Sequence, residues 1–137
     1  MSTLFGQEHV ERYQATDGEE GHDWLKGTTT LLLTTTGRKS GTQYTTPLIY
    51  ALDGRNPVIV ASQGGSPDNP DWYRNLVANP EVEAQIKGDT FRAHARSAQG
   101  DERERLWKLM TAVWPDYDAY QQKTDRRIPV VVLEPIE

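Results

Sequence analysis

Leu31-Leu32-Leu33-Thr34-Thr35-Thr36-Gly37-Arg38-Lys39-Ser40-Gly41 decides how the chain is read, because an apolar, β-prone run is cut off there by a glycine-flanked pair of cations. Leucine and threonine in succession favour an extended strand, and Gly-Arg-Lys-Ser-Gly favours the turn that ends it. Backbone N–H groups in such a turn, with two positive side chains beside them, suit an anion such as a phosphate. The same residues would also serve as a solvated hairpin tip, and spacing alone leaves both readings open.

The strand texture recurs outward from this stretch. Further strands are expected at 44–52 and 57–62, parted by Asp53-Gly54-Arg55-Asn56, whose Asp-Gly pair is a hairpin signal. Two more are expected at 81–87 and 90–97 around Gly88-Asp89, and a last one at 128–133. Asn69-Pro70 has the form of a helix start, with asparagine as cap and proline in the first turn. Trp72 with Leu76 and Tyr73 with Val77 then share a face, and Asn79-Pro80 closes the helix. A second helix is expected from Asp101, capped with Glu104, carrying Leu106, Trp107, Met110, Val113 and Trp114 along one stripe until Pro115. A short helical turn with Tyr117 and Tyr120 follows. About six strands joined mostly by short turns, with two or three helices, predict a mainly-β fold, an antiparallel barrel with helices at its rim.

Residues 1–28 are polar, with Asp17, Glu19, Glu20 and Asp23 around two glycines, and read as a short helix near 8–14 followed by a mobile loop. The expected organisation is therefore a polar segment at 1–28 and one domain at 29–137. The chain has 137 residues, 15 basic and 20 acidic, and no cysteine. With a net charge of -5 and a pI near 5.2, broad attraction to nucleic acid or anionic lipid is disfavoured. The missing cysteines exclude disulfides and thiolate chemistry. No apolar run approaches the roughly 20 residues of a membrane-spanning helix, and no signal-peptide pattern opens the sequence. Expected location is thus the cytoplasm, with peripheral attachment to a membrane as the alternative.

Several chemistries find no support. His9, His22 and His94 are far apart and lack ligand-like neighbours, so they are expected to be solvated or partly packed and no metal site is expected. Neither a serine-hydrolase elbow at Ser62, nor a Walker loop, nor a dinucleotide fingerprint is present. A second glycine-bearing loop, Ala61-Ser62-Gln63-Gly64-Gly65-Ser66, does stand out at a strand end just before the Asn69-Pro70 helix. Two anion-friendly loops on one small barrel suggest one extended, phosphorylated cofactor. The alternative is that both are ordinary turns.

Leu32 to Gly41, Pro47-Leu48, Val60-Ala61-Ser62-Gln63-Gly64-Gly65, Asn69-Pro70-Asp71-Trp72-Tyr73-Arg74-Asn75-Leu76, Ala78-Asn79-Pro80 and Thr124-Asp125-Arg126-Arg127-Ile128-Pro129-Val130-Val131 follow one another in an order and spacing that strongly resemble the deazaflavin-dependent nitroreductase family of actinobacteria. That resemblance implies a split β-barrel of the FMN-binding type, using the deazaflavin coenzyme F-420 in place of FMN. By position, Arg38, Lys39 and Ser40 would hold the phosphate and the start of the acidic tail. Thr45, Thr46 and Pro47 would line the deazaflavin, and Val60, Ala61, Ser62, Gln63 and Gly64 would contact its ring and ribityl chain. Asp71, Trp72, Tyr73 and Asn75 would complete the groove, and Trp114, Tyr117 and Tyr120, with Ser62, would shape the substrate side. On periodicity alone Trp72 and Trp114 read as core residues, and the tyrosine pair reads equally as a lid.

The activity implied is hydride transfer from C5 of the reduced deazaflavin to a small electron-poor acceptor, a quinone or a nitroaromatic. Ser62 and Tyr117 are the catalytic candidates, as hydrogen-bond donors to the acceptor oxygen while negative charge develops there. Binding and carriage of the coenzyme without efficient turnover is the alternative function, and a barrel with no cofactor is a third. Four positions depart from the family's common pattern: Gln63 stands for a frequent lysine, Tyr44 for a basic residue, Ile49 and Trp114 for tyrosines. The N-terminal segment is also shorter and more acidic than the membrane-seeking helix of some members, which weakens membrane attachment. A homodimer is expected by analogy alone, since split barrels often pair through their sheets.

Overall fold

The computed structural model describes residues 4–136. Seven antiparallel strands form one sheet: β1 (Thr30–Thr36), β2 (Gln43–Ile49), β3 (Ala51–Asp53), β4 (Asn56–Val60), β5 (Glu81–Ile86), β6 (Asp89–Ser97) and β7 (Val130–Pro135). Four helices accompany them: α1 (Gly6–Thr16), α2 (Asp71–Ala78), α3 (Gly100–Val113) and α4 (Asp116–Gln122). The strand order is β2-β1-β5-β6-β7-β4-β3, so the two edges, β2 and β3, are consecutive in the chain and separated only by Tyr50. Laid flat, the sheet would hold those edges roughly 29 Å apart at about 4.8 Å per step, whereas one residue spans only about 3.5 Å. The sheet must therefore roll until its edges meet. The expected split barrel follows from this one-residue link.

Where the sequence suggests one continuous strand over 44–52, the structure breaks it at Tyr50. The Tyr50 N–H donates to Thr29 O (3.1 Å) and the chain then leaves β1 to pair with β4. This break accounts for seven strands in place of about six.

β1 is buried on both faces, which is why three leucines stand in a row. Leu31 and Leu33 lie opposite Leu48 and Thr46 of β2 and point into the barrel core with Ile59, Val82, Val131 and Leu133. From α2, Leu76, Trp72 and Tyr73 pack into the same core. Leu32 points the other way, against Val10 and Tyr13 of α1. A second core lies outside β4 and β7, where Val58, Val60, Val130 and Val132 meet Leu106 and Met110 of α3 and Tyr117 of α4.

The stretch between α1 and β1, read as a loop, is tied to the sheet. His9 Nε2–H donates to Gly21 O (2.8 Å), and His22 Nε2 accepts from the Tyr50 hydroxyl (2.9 Å). Both rings are buried, contrary to the expectation of solvated or partly packed histidines; His94 is exposed. The helix starts also differ from expectation. The N-cap of α2 is Pro70, which has no side-chain acceptor, so no side chain caps the helix; Asn69, one residue earlier, accepts instead from Arg126 Nη1 (2.8 Å). α3 begins at Gly100, ahead of Asp101, so Asp101 and Glu102 sit in its first turn, where carboxylates favour the helix dipole, and form no cap box.

Candidate cofactor groove

β3 covers only the first residues of β4, Asn56 to Val58, so the end of β4 at Val60 faces β2 across the split. A groove of ≈ 540 Å³ opens there, within the usual range of small-molecule sites. Gly37, Arg38, Lys39 and Ser40 from the β1–β2 turn, Tyr44 and Thr46 from β2, Val60 at the end of β4 and Gln63 beyond it, and Pro70, Asp71, Trp72 and Asn75 around α2 line it.

The cationic turn is fixed before any ligand arrives. Its neck is closed by Gly37 N–H to Thr42 O (2.7 Å) and Gly41 N–H to Gly37 O (2.9 Å). A Cβ on Gly37 would lie 2.9 Å from the Tyr44 ring and 2.9 Å from Ser40 Oγ, so only glycine lets the turn fold against Tyr44. Arg38 is braced by Asn75: its backbone N–H (3.2 Å) and Nη1 (2.8 Å) both donate to Asn75 Oδ1, while Nη2 reaches Asp71 Oδ1 (3.4 Å). Asn75 is 4 % exposed, and its Nδ2 donates to the buried Thr35 hydroxyl (3.3 Å). The neighbouring Lys39 has no hydrogen bond or ion pair among the described residues. Asp71, 81 % exposed at its side chain, brings a carboxylate to the same end, shared between Arg38 and Arg74 (3.8 Å).

The second glycine loop forms the other end. Gln63–Gly65 is a single 3-10 turn closed by Gly65 N–H to Ser62 O (2.9 Å), with Gln63 and Gly64 at positive φ (44° and 62°). Gly65 sits against α4, and a Cβ there would lie 2.8 Å from Tyr120 O. The loop is gripped by Arg126, whose guanidinium donates to Ala61 O (3.1 Å), Ser62 O (2.7 Å), Ser66 O (2.8 Å) and Asn69 Oδ1 (2.8 Å).

Of the residues anticipated for the cofactor, Arg38, Lys39, Ser40, Thr46, Val60, Gln63, Asp71, Trp72 and Asn75 come together as lining. Ala61, Ser62 and Gly64 belong to the loop beside it. Thr45 and Pro47 lie opposite Thr34 and Leu32, on the β2 face away from Thr46, and the Thr45 hydroxyl is paired with that of Thr34 (2.8 Å). Any contact from these two to a ligand in the groove would come from backbone. Tyr73 is turned into the core, its hydroxyl paired with Ser97 Oγ (2.8 Å).

The three residues anticipated for the substrate side form a separate aromatic cluster. Trp114 Nε1–H donates to the Tyr120 hydroxyl (3.3 Å), and the Tyr117 and Tyr120 rings meet edge to face at 6.2 Å. The Trp114 ring stacks on Trp24 from the N-terminal segment (6.2 Å), with Lys26 Nζ 5.1 Å above it. Tyr117 is only 5 % exposed, and burial raises its phenol pKa well above the ordinary value. Its hydroxyl has no partner among the described residues, where every fully buried polar side-chain atom has one, so the oxygen is not sealed in. No hydrogen bond joins Ser62 to Tyr117.

Gly37, Tyr44, Pro70, Arg126 and Trp24 are not among the site residues expected from the sequence. Arg126 had a signal, its place in the Thr124-Asp125-Arg126-Arg127 motif, but its partners are 57 to 65 residues away. Among the described residues no group of His, Asp and Glu could hold a metal ion, and no helix is long and apolar enough to cross a membrane.

Residues 5–135 match the protein family described as F420H(2)-dependent quinone reductase. The chain is 42% identical over 128 residues to the F420H(2)-dependent quinone reductase Rv1261c of Mycobacterium tuberculosis, covering 91% of this chain and 86% of that protein. A solved F420-H2 dependent reductase, FDR-A, superposes with a TM-score of 0.72 at 43% identity, covering 77% of this chain and 93% of its own. Another solved relative, described as a domain-swapped dimer, gives 0.75 at 40% identity and covers 93% and 96%.

Proposed function

The chain belongs to the F420H(2)-dependent quinone reductase family, and we propose that the groove between the Gly37–Ser40 turn and the Ser62–Gly65 loop is where it holds the coenzyme. The enzyme is an oxidoreductase with reduced F-420 as hydride donor and a quinone as acceptor. When bound, the coenzyme supplies the hydride, leaving the protein to bind, orient and exclude water.

The donor set supports the fit. The cationic turn presents Arg38, Lys39 and Ser40, suited to a phosphate, with the Tyr44 ring against it, and Val60 and Trp72 add apolar lining suited to a flat heteroaromatic system. Arg38 is preset by Asn75 and loses little freedom when an anion arrives. Lys39 has no partner among the described residues and brings its whole charge. Asp71 opposes them, so binding rests on the balance of two cations against one exposed carboxylate.

On the acceptor side, Ser62 and Tyr117 serve as hydrogen-bond donors to the quinone oxygen as negative charge grows on it. A phenol is protonated near neutral pH, the form that can donate, and burial raises the Tyr117 pKa further. Trp114 and Tyr120 hold the wall of that side. Reduction of nitroaromatics would use the same donors.

The single observation that carries this reading is the groove that joins Lys39 to the apolar surface at Val60. Its test is titration of F-420 fluorescence with protein, followed by anaerobic mixing of the reduced coenzyme with a naphthoquinone. Saturable binding with acceptor-dependent reoxidation is expected. Binding without reoxidation would make the protein a carrier, and no binding would remove the cofactor from the account.

A further inference from the structure

We propose that Arg126 is a positioning residue for the cofactor loop: by gathering the carbonyls of Ala61, Ser62 and Ser66 with the Asn69 side chain, it sets the backbone that faces the groove. The inference rests on the cofactor reading above and adds to it a residue that does not line the groove.

The physical argument begins with the guanidinium. Its Nε, Nη1 and Nη2 donate to four oxygens at 2.7 to 3.1 Å, three of them main-chain carbonyls of the same loop. Arg126 forms no ion pair among the described residues, so its charge is spent on peptide dipoles. In a trans peptide the N–H points opposite to the C=O of the same unit, and no cis peptide is present. The carbonyls of Ala61 and Ser62 turn toward Arg126, so the N–H groups of Ser62 and Gln63 turn away from it. Neither N–H has a partner among the described residues, and Val60 and Gln63 on either side of them line the groove. Arg126 thus leaves two adjacent donors free for a ligand and polarises their peptides with a full charge.

The loop needs such a clamp. Gln63 is a non-glycine residue at φ 44°, followed by Gly64 at 62° and Gly65 at 86°, a run that the chain does not adopt unaided. Arg126 closes both ends of this run, at Ser62 O and at Ser66 O, and through Asn69, the residue before Pro70, reaches the foot of α2. Lysine, a point charge on a flexible stem, cannot meet four acceptors in one plane.

The test compares Arg126→Ala, Arg126→Lys and Arg127→Ala, the last removing the same charge from an exposed neighbour. Two readouts are taken: F-420 affinity by fluorescence titration, and amide hydrogen exchange over residues 61–66 without coenzyme. Arg126→Ala is expected to weaken F-420 binding at least about tenfold and to speed exchange at Gly65 and Ser66. Arg126→Lys should recover only part of both, and Arg127→Ala should stay within about twofold of wild type. The proposal is overturned if Arg126→Ala leaves exchange over 61–66 unchanged, or if Arg127→Ala weakens binding as much as Arg126→Ala. Should Arg126→Ala fail to fold, a folded Arg126→Lys with wild-type exchange and affinity overturns it equally. A wild-type chain that does not bind F-420 refutes the cofactor reading instead, and the exchange rates still decide whether Arg126 holds the loop.

Discussion

Arg38 and Lys39 bring the same charge to the same groove and are employed differently. Arg38 is already bound to Asn75 and Asp71, whereas Lys39 has no partner among the described residues. Removing Lys39 should therefore weaken F-420 binding severalfold and flatten its salt dependence, with little change in melting temperature. Asn75→Ala should do something else. It strips Arg38 of two hydrogen bonds and leaves the buried Thr35 hydroxyl without its Asn75 contact, so it should cost about 1–3 kcal/mol of stability as well as affinity. Urea unfolding beside coenzyme titration separates the two, and equal effects of both variants on stability would contradict this division. Asn75 shows the limit of reading residues from sequence. Its motif placed it in the groove, but its role as a brace depends on Thr35 and Arg38, about 40 residues away in the chain and adjacent only once β1 and α2 pack.

Among the elements, α1 is expected as a short helix near 8–14 and is found at Gly6–Thr16, but its docking was the hardest feature to foresee. Its sequence is polar enough to look detached, yet His9, Val10 and Tyr13 fall on one face and are buried. Tyr13 does most to dock it. The hydroxyl donates to Thr30 O (3.0 Å) and accepts from Lys87 N–H (2.8 Å), so one side chain ties α1 to β1 and to the β5–β6 turn. Tyr13→Phe leaves that N–H unpaired and should destabilise the fold by about 1–3 kcal/mol, measured by urea unfolding; an unchanged midpoint would show that the hydroxyl contributes nothing. The strands were far more legible, since leucine and threonine runs and Gly-Asp turns are local signals. The break at Tyr50 was not, because it is imposed by the Thr29 carbonyl and by the exchange of β1 for β4 as partner.

At the scale of the whole molecule, buried phenols give the fold a definite alkaline response. Burial pushes Tyr13 up to about 12 and Tyr117 higher than its ordinary value, while in the unfolded chain both titrate near about 10. The folded state thus keeps protons that the unfolded state has lost. Stability from these groups is complete below about pH 10 and falls as pH rises from there through the folded pKa. Urea midpoints should drop over that window in wild type and drop less in Tyr13→Phe. Equal drops would mean that Tyr13 titrates alike in both states.

The rolled sheet also explains why so much of the site could be read early and so little of its support. A split barrel brings a turn after its first strand beside a loop after its fourth, so two glycine-bearing segments suffice to mark the groove. What holds them, Asn75 behind Arg38 and Arg126 behind Ser62, comes from elsewhere in the chain. The most direct test is a crystal structure of the protein with F-420. The phosphate is expected within about 3 Å of Lys39 and Arg38, with the ring beside Val60 and Gln63. Coenzyme density lodged elsewhere, as against the Trp24–Trp114 stack, with the groove filled by solvent, would contradict the assignment.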